Sequence, residues 1–502
     1  MLKYTGHPLF DVGAATIGAI VGKRDLSTIT VRDLEQAADF LTEQYTVDPL
    51  KTFLVVAFPN SGFTNPAFAN RLDKRLEYAK QVLRAYGRDA PRLGMKCVFT
   101  GEPAVAVVFR QHVPLITGED IINFHPGGNP GLPVSGEALL CIQALPLGCA
   151  KCSGRLLAVH SDNPDLIYEF AEKFLRMNMS AISMARAAGS RKMPEAKARA
   201  GTLLIDTLLQ LEQARLEESR ESDYEGGRPC SLTAYHLTNS GQSNPLDPRN
   251  PPLQIYHLPL EMMSFLRAVA GAEYRHEWNG IASRAWEIPK SRKRKKGQAE
   301  LDEEGGPGRN FLYEDLLKLP DNARYFLRTY FLRTAVRWAR GDESDPRRTY
   351  SLREEADLVS WKLTDLFLRK VMNVDRHRVE QIRALGDRLA DYVSTQNDKG
   401  FFRNFFTLNN YGYFRAELLK ADANEVRRGQ PPLITFDQFI EIFEEGDEIA
   451  RPDWKLARDL VLIRMVEQLH HRGWLAKNRE VVPEITVEAV AEGAGSEGEE
   501  QA

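Results

Sequence analysis

Three of the chain's five cysteines fall between Cys141 and Cys152, and Cys149 with Cys152 makes a CxxC, the spacing that grips zinc or forms a redox pair. A structural zinc takes four ligands. Cys97, in the run Gly94-Met95-Lys96-Cys97-Val98-Phe99-Thr100-Gly101, is the natural third, but Thr100 stands where a second CxxC would need cysteine. Cys141 or a histidine would have to supply the fourth. The competing reading is a metal-free, glycine-capped turn over 149–154 that has kept its small cysteines. A thioredoxin-like pair is disfavoured, because this CxxC follows a helix and lacks a βαβ start. Zinc is thus the one cofactor these residues point to, with Cys97, Cys149 and Cys152 as its candidate ligands.

Other residues suit the recognition of nucleic acid. The loop Pro126-Gly127-Gly128-Asn129-Pro130-Gly131 can bring bare backbone N–H groups close to a phosphate. It is neither G-x-G-x-x-G nor a Walker A, so nucleotide hydrolysis has no support. The segment 59–70, PNSGFTNPAFAN, offers Asn60, Ser61, Thr64, Asn65 and Asn70, whose paired donors and acceptors match base edges. Asparagine is equally a turn former. Residues 290–296, KSRKRKK, put six basic residues in seven, among them Arg292, Lys293 and Arg294. Further on, Arg383, Arg388, Lys399, Arg403 and Arg415 interleave with Phe401, Phe402, Phe405 and Phe406. Such a mixture holds single strands by charge and stacking together. The plain alternative is a solvated helix face over an aromatic core. No paired histidine and aspartate, H-E-x-x-H or nucleophile elbow is visible, which makes catalysis the weaker class of function.

The elements that must position these residues follow from periodicity. Thr30 caps an amphipathic helix with apolar Leu34, Ala37, Ala38, Leu41 and Tyr45. The runs FLVVAF (53–58) and AVAVVF (104–109) read as buried strands, with a basic helix from Leu72 to Tyr86 between them. A helix from Gly136 to Leu145 is apolar nearly all round and belongs in a core. Helices over about 166–178 and 195–220 follow, then a strand-like LQIYHL. Beyond Asn310 helical patterns dominate: a helix over 322–340 carrying Arg324, Arg328, Arg333, Arg337 and Arg340, a series from Val379 to Val393, one behind a Thr435…Gln438 capping box, and one from Leu456 to Val466.

A length of 502 residues with 43% hydrophobic content suffices for several cores. The net charge of −3 hides an uneven distribution, since 480–502 holds seven acidic and no basic residues. Few cysteines, no membrane-length apolar run and a first apolar stretch with the wrong flanking charges for a signal peptide predict a cytoplasmic chain without a membrane partner. The expected fold class is α+β: a mixed α/β N-terminal domain with a degenerate zinc-knuckle-like insertion, then an α-helical bundle. The expected divisions are 1–289 for recognition, 290–309 as a basic linker, 310–479 helical and 480–502 an acidic disordered tail.

The strings GHPLFDVG, FTNPAFAN, HPGG…SGEALL and ALPLGCAKCSGRLL…HSDNP resemble the large subunit of a type I-B CRISPR interference complex (Cascade), in the Cst branch named for a CxxC…CxxC region. The resemblance spans about the first 275 residues, and Thr100 departs from it. It implies a non-catalytic subunit that recognises the protospacer-adjacent motif in target DNA, aids strand opening and positions the displaced strand for a separate helicase-nuclease. The implied partners are the crRNA, the target DNA and the guide-end, backbone and small subunits. The loops 59–70 and 127–131 become candidate motif readers, and 372–502 a small-subunit-like segment that can start separately at Met372. A zinc-stabilised nucleic-acid-processing enzyme is the alternative function.

Overall fold

The computed structural model describes residues 2–87, 90–116, 118–119, 130–221, 230–239, 251–289, 308–445, 449–484 and 486–487. The chain mixes helix and sheet and divides into two compact units, Met1–Met263 and Ser264–Ala502. Among the described residues, no helix is long and apolar enough to cross a membrane.

In the first unit the order is α1 (Pro8–Val21), α2 (Val31–Tyr45), α3 (Leu50–Ala57), α4 (Leu72–Leu83), β1 (Ala106–Val108), β2 (Leu132–Val134) and α5 (Gly136–Ala144). Then come β3 (Ala150–Cys152), β4 (Arg155–Ser161), α6 (Pro164–Ala187), α7 (Ala200–Glu221), β5 (Leu232–Leu237) and β6 (Leu253–Leu258), with α8 (Leu260–Ala270) crossing into the second unit. The sheet β3-β4-β5-β6 is antiparallel throughout; α1 and α6 pack beside it, and α5 packs on α1. Two glycines allow close approach there. A Cβ on Gly13 of α1 would lie 1.9 Å from the Cys141 carbonyl oxygen of α5, and one on Gly148 would lie 1.9 Å from Thr16 Oγ1. Thr30 and Asp33 form a complete capping box on α2, and the five periodic residues of that helix are all buried.

Segment 53–58 is not a strand. It forms most of α3, with Phe53, Leu54, Val56, Ala57 and Phe58 buried. A short run that is apolar on every side carries the same pattern in either state, and here the sheet offers it no partner strand. The second predicted strand shrinks to β1, paired antiparallel with β2.

The second unit continues with α9 (Arg275–Ser283), α10 (Phe311–Leu316), α11 (Ala323–Phe326), β7 (Ala335–Val336), α12 (Trp361–Lys370), α13 (Arg376–Gln396), α14 (Lys399–Thr407) and α15 (Tyr411–Arg427). It ends with α16 (Phe436–Phe443), β8 (Glu444–Glu445), β9 (Ile449–Ala450), α17 (Trp454–His471), α18 (Trp474–Lys477) and β10 (Thr486–Val487). The capping box of Thr435 and Gln438 opens α16. The expected helix over 322–340 is broken: α11 passes into a π turn at Leu327–Phe331, Arg333 adopts φ 56°, and β7 pairs in parallel with β10. Buried ion pairs account for the break. Arg328 Nη1 lies 2.7 Å from Asp459 of α17, while Arg333 Nη2 lies 2.7 Å from Glu355, so two arginines five positions apart serve different carboxylates.

Candidate functional site

Helices α1 and α6 both open with a proline at the first helical position, where a missing N–H costs nothing. Their starts meet at a cavity of about 360 Å³ lined by Tyr4, Gly6, Asp11, His160, Ser161 and Asp162 among others. Asp11 is the one charge in an otherwise apolar helix and is 1% exposed. Its Oδ1 accepts from the Thr5 N–H at 2.7 Å and the Thr5 hydroxyl at 3.1 Å; its Oδ2 accepts from the Gly6 N–H at 2.8 Å and His160 Nε2 at 3.0 Å. The lone-pair positions of the carboxylate are thereby filled. His160 sits on β4 opposite Thr233 of β5, and with Nε2 donating to Asp11, its Nδ1 is the ring atom left for a ligand.

No paired histidine and aspartate is visible in the sequence, yet the fold brings these two together. The two residues are 149 positions apart, so local spacing could not show it. The available signal was Asp11 itself, since a charge in an apolar run must be paired when buried. The arrangement stops short of a hydrolytic triad. Ser161 Oγ donates to the Ser231 carbonyl at 2.6 Å, and the Thr233 hydroxyl is 2.9 Å from His257 Nδ1. Burial, seconded by Asp11, pushes the Tyr4 hydroxyl well above its usual range, and burial pulls His7 below the ordinary histidine value against the attraction of Asp11. The cavity therefore presents one imidazole oriented by a buried carboxylate.

The cysteines are all buried and free. Ser153 and Gly154 have φ of 51° and 72° between paired Cys152 and Arg155, which makes 149–154 part of a two-residue β-hairpin with both turn residues left-handed. His236 Nε2 donates to the Cys152 carbonyl at 3.0 Å and lies 3.6 Å from its Sγ. Among the described residues no three of His, Cys, Asp and Glu gather in a metal-holding group, so Cys97, Cys149 and Cys152 are not brought together. Burial holds the Cys149 thiol far above its usual value and pushes Cys152 up to about 12. A structural zinc takes four ligands, and the described residues do not gather them around these cysteines.

The amide-rich loop divides by burial. Ser61 and Thr64 are buried, 3.1 Å apart, and Thr64 Oγ1 donates to the Phe58 carbonyl at 2.7 Å, closing the turn after α3. Asn65 Oδ1 accepts from the Ala67 N–H at 2.9 Å, while Asn60 and Asn70 are exposed. Gly127, Gly128, Asn129, Arg292, Lys293 and Arg294 lie outside the described residues.

In the second unit Phe401, Phe402, Phe405 and Phe406 are at most 2% exposed, and their rings pack on Tyr392, Trp474 and Phe414. The expectation that they offer stacking platforms is corrected: they are core. Arg388 ties α13 to the start of α16, donating from Nε to the Leu433 carbonyl and from Nη2 to Gln438 Oε1, both at 2.6 Å. Lys399 pairs with Glu480 at 2.9 Å and Arg415 with Glu444 at 3.1 Å. Arg383 and Arg403 are exposed.

No family model, curated protein or solved structure matches the chain.

Proposed function

We propose that the chain is the large, non-catalytic subunit of a crRNA-guided type I CRISPR interference complex, reading the protospacer-adjacent motif and aiding strand opening for a separate helicase-nuclease. One observation carries this reading. Two separated strings behind the resemblance, GHPLFDVG and HSDNP, build one pocket around the Asp11 carboxylate, and Gly13 and Gly148 bring α1 close against Cys141 and the ALPLG run. The engaged hydroxyls of Ser161 and Thr233 favour recognition over hydrolysis.

In this reading the first 289 residues form the recognition domain, residues 290–309 a basic linker, 310–479 a helical domain and 480–502 an acidic tail. The hairpin at 149–154 is a knuckle remnant that folds without metal. Outward-facing Asn60 and Asn70, together with the 127–131 loop, are the candidates for motif contact; Arg383 and Arg403 are candidates for backbone phosphates. The chain works in the cytoplasm. A small-subunit-like product beginning at Met372 would lack α12, whose Trp361 N–H donates to Glu467 of α17 at 2.8 Å.

Purification of the tagged chain from its native host tests the proposal. A guide RNA and repeated backbone subunits should co-elute, and the purified complex should bind duplex DNA in a manner that depends on the flanking motif and falls steeply with salt. Elution of the chain without RNA, or DNA cleavage by the chain alone, would sink it.

A further inference from the structure

A second cavity, of about 200 Å³, lies wholly within Ser264–Ala502. Arg333, Arg340 and Arg348 line it, with Ser351, Tyr350 and Glu484. Arg333 is fully buried. Its Nε and Nη2 reach Glu355 Oε2 at 3.0 and 2.7 Å, and its guanidinium lies 3.6 Å from the centroid of the Tyr350 ring. Its Nη1 is buried with no hydrogen-bond partner, and so is Nε of Arg348. Buried donors of this kind are normally satisfied, and a charged one left unsatisfied is costly.

Charge around the cavity is also out of balance. Glu355 is shared between Arg333 and Arg284, so one carboxylate faces two guanidiniums. Glu484 at the rim is 3.2 Å from Arg353. Arg340 and Arg348 therefore add positive charge that the neighbouring acids do not offset. The hydroxyls of Thr334 and Thr349 are spent on the Arg328 and Pro346 carbonyls, at 2.7 and 2.8 Å, and the lining also holds the guanidiniums of Arg333, Arg340 and Arg348 and the Ser351 side chain.

We propose that this cavity binds a phosphate-type oxoanion, held by the unpartnered N–H groups of Arg333 and Arg348 with Arg340 at the mouth. Several guanidinium forks lining one cavity suit a tetrahedral, multiply charged acceptor, because each fork can take a separate oxygen edge. At about 30 Å³ per water, the space exceeds what one water needs. The inference stands on the second unit alone and does not rest on the functional reading above.

The test uses the full chain and inorganic phosphate, followed by ³¹P NMR line broadening and by the thermal midpoint against chloride of equal ionic strength. Saturable broadening and a rising midpoint are expected. The double change Arg340→Gln, Arg348→Gln should weaken binding by about tenfold or more. Far-UV circular dichroism without phosphate checks its fold. Should the double variant misfold, Arg340→Gln alone serves, since that side chain is exposed. Competition then identifies the source of the anion. Displacement of phosphate by a 5′-phosphorylated oligonucleotide but not its 5′-hydroxyl twin assigns a terminal phosphate, displacement by both assigns backbone phosphodiester, and displacement by neither assigns a small free anion. No saturable binding in the millimolar range, or unchanged binding by the folded variants, overturns the proposal.

Discussion

Gly13 of α1 and Cys141 of α5 meet backbone to backbone, so that a methyl group on Gly13 would fall 1.9 Å from the Cys141 carbonyl oxygen. Neither main chain can retreat, because both helices are buried on the sides involved. Gly13→Ala should therefore destabilise the first unit by about 3 kcal/mol or more. Gly6→Ala is the contrast. Gly6 has open space but a φ of +86°, so its change should cost only about 1 kcal/mol. Urea midpoints of the two variants check the difference, and equal costs would refute the close-packing argument.

Asp11 is held by four donors, of which His160 is one. Asp11→Asn turns an acceptor-only group into one with an N–H₂ facing donors, and should cost about 2–3 kcal/mol. His160→Gln removes one partner and should cost about 1 kcal/mol. Because the two residues touch, the double variant should cost less than the sum of the singles. Strict additivity in a double-mutant cycle would mean that the pair does not interact in solution.

His112 supplies a pH dependence whose sign can be worked out. Burial lowers its pKa from 6.5 to about 4, and its Nδ1 accepts from the Phe109 N–H at 3.4 Å, a role open only to the unprotonated nitrogen. The unfolded chain takes up a proton below pH 6.5 that the folded chain refuses until about pH 4. Stability is therefore full above 6.5, falls as pH drops through that window and levels off below it, a loss of up to about 3 kcal/mol. His112→Gln should flatten the slope between pH 6.5 and 4, and an unchanged slope would remove His112 as its source. His7 and His236 shift in the same direction, so some slope will persist.

Three arginines that look alike in the sequence should behave differently. Arg388→Gln loses two internal hydrogen bonds between α13 and the start of α16 and should lower stability by about 1–3 kcal/mol. Arg383→Gln and Arg403→Gln, both at exposed positions, should change stability by no more than about 0.5 kcal/mol. If these two touch phosphates, each should reduce the salt slope of nucleic-acid binding by about 1. Thermal melts and binding at several salt concentrations separate the two behaviours.

Local signals were legible in the sequence wherever a helix carried its own cap and one apolar face, as Thr30 to Tyr45 and Thr435 to Phe443 do. Phe53 to Phe58 was not, because a run buried on all sides has no face to read. The 322–340 helix failed for a different reason: its arginines answer to Asp459 and Glu355, which only the folded chain brings near. The candidate pocket was half visible. Both of its motifs stood out as strings, but their meeting at Asp11 depends on the packing of α1 beside β4.

The π turn at Leu327–Phe331 ends the regular helix two residues before Arg333, whose φ of 56° is left-handed, so Arg328 and Arg333 leave the backbone from different local frames. Asp459 takes Arg328 from within the π turn, and Glu355 takes Arg333 from beyond it together with Arg284. The break in the helix thereby gives two buried acids different arginines and puts Arg333 in the lining of the second cavity.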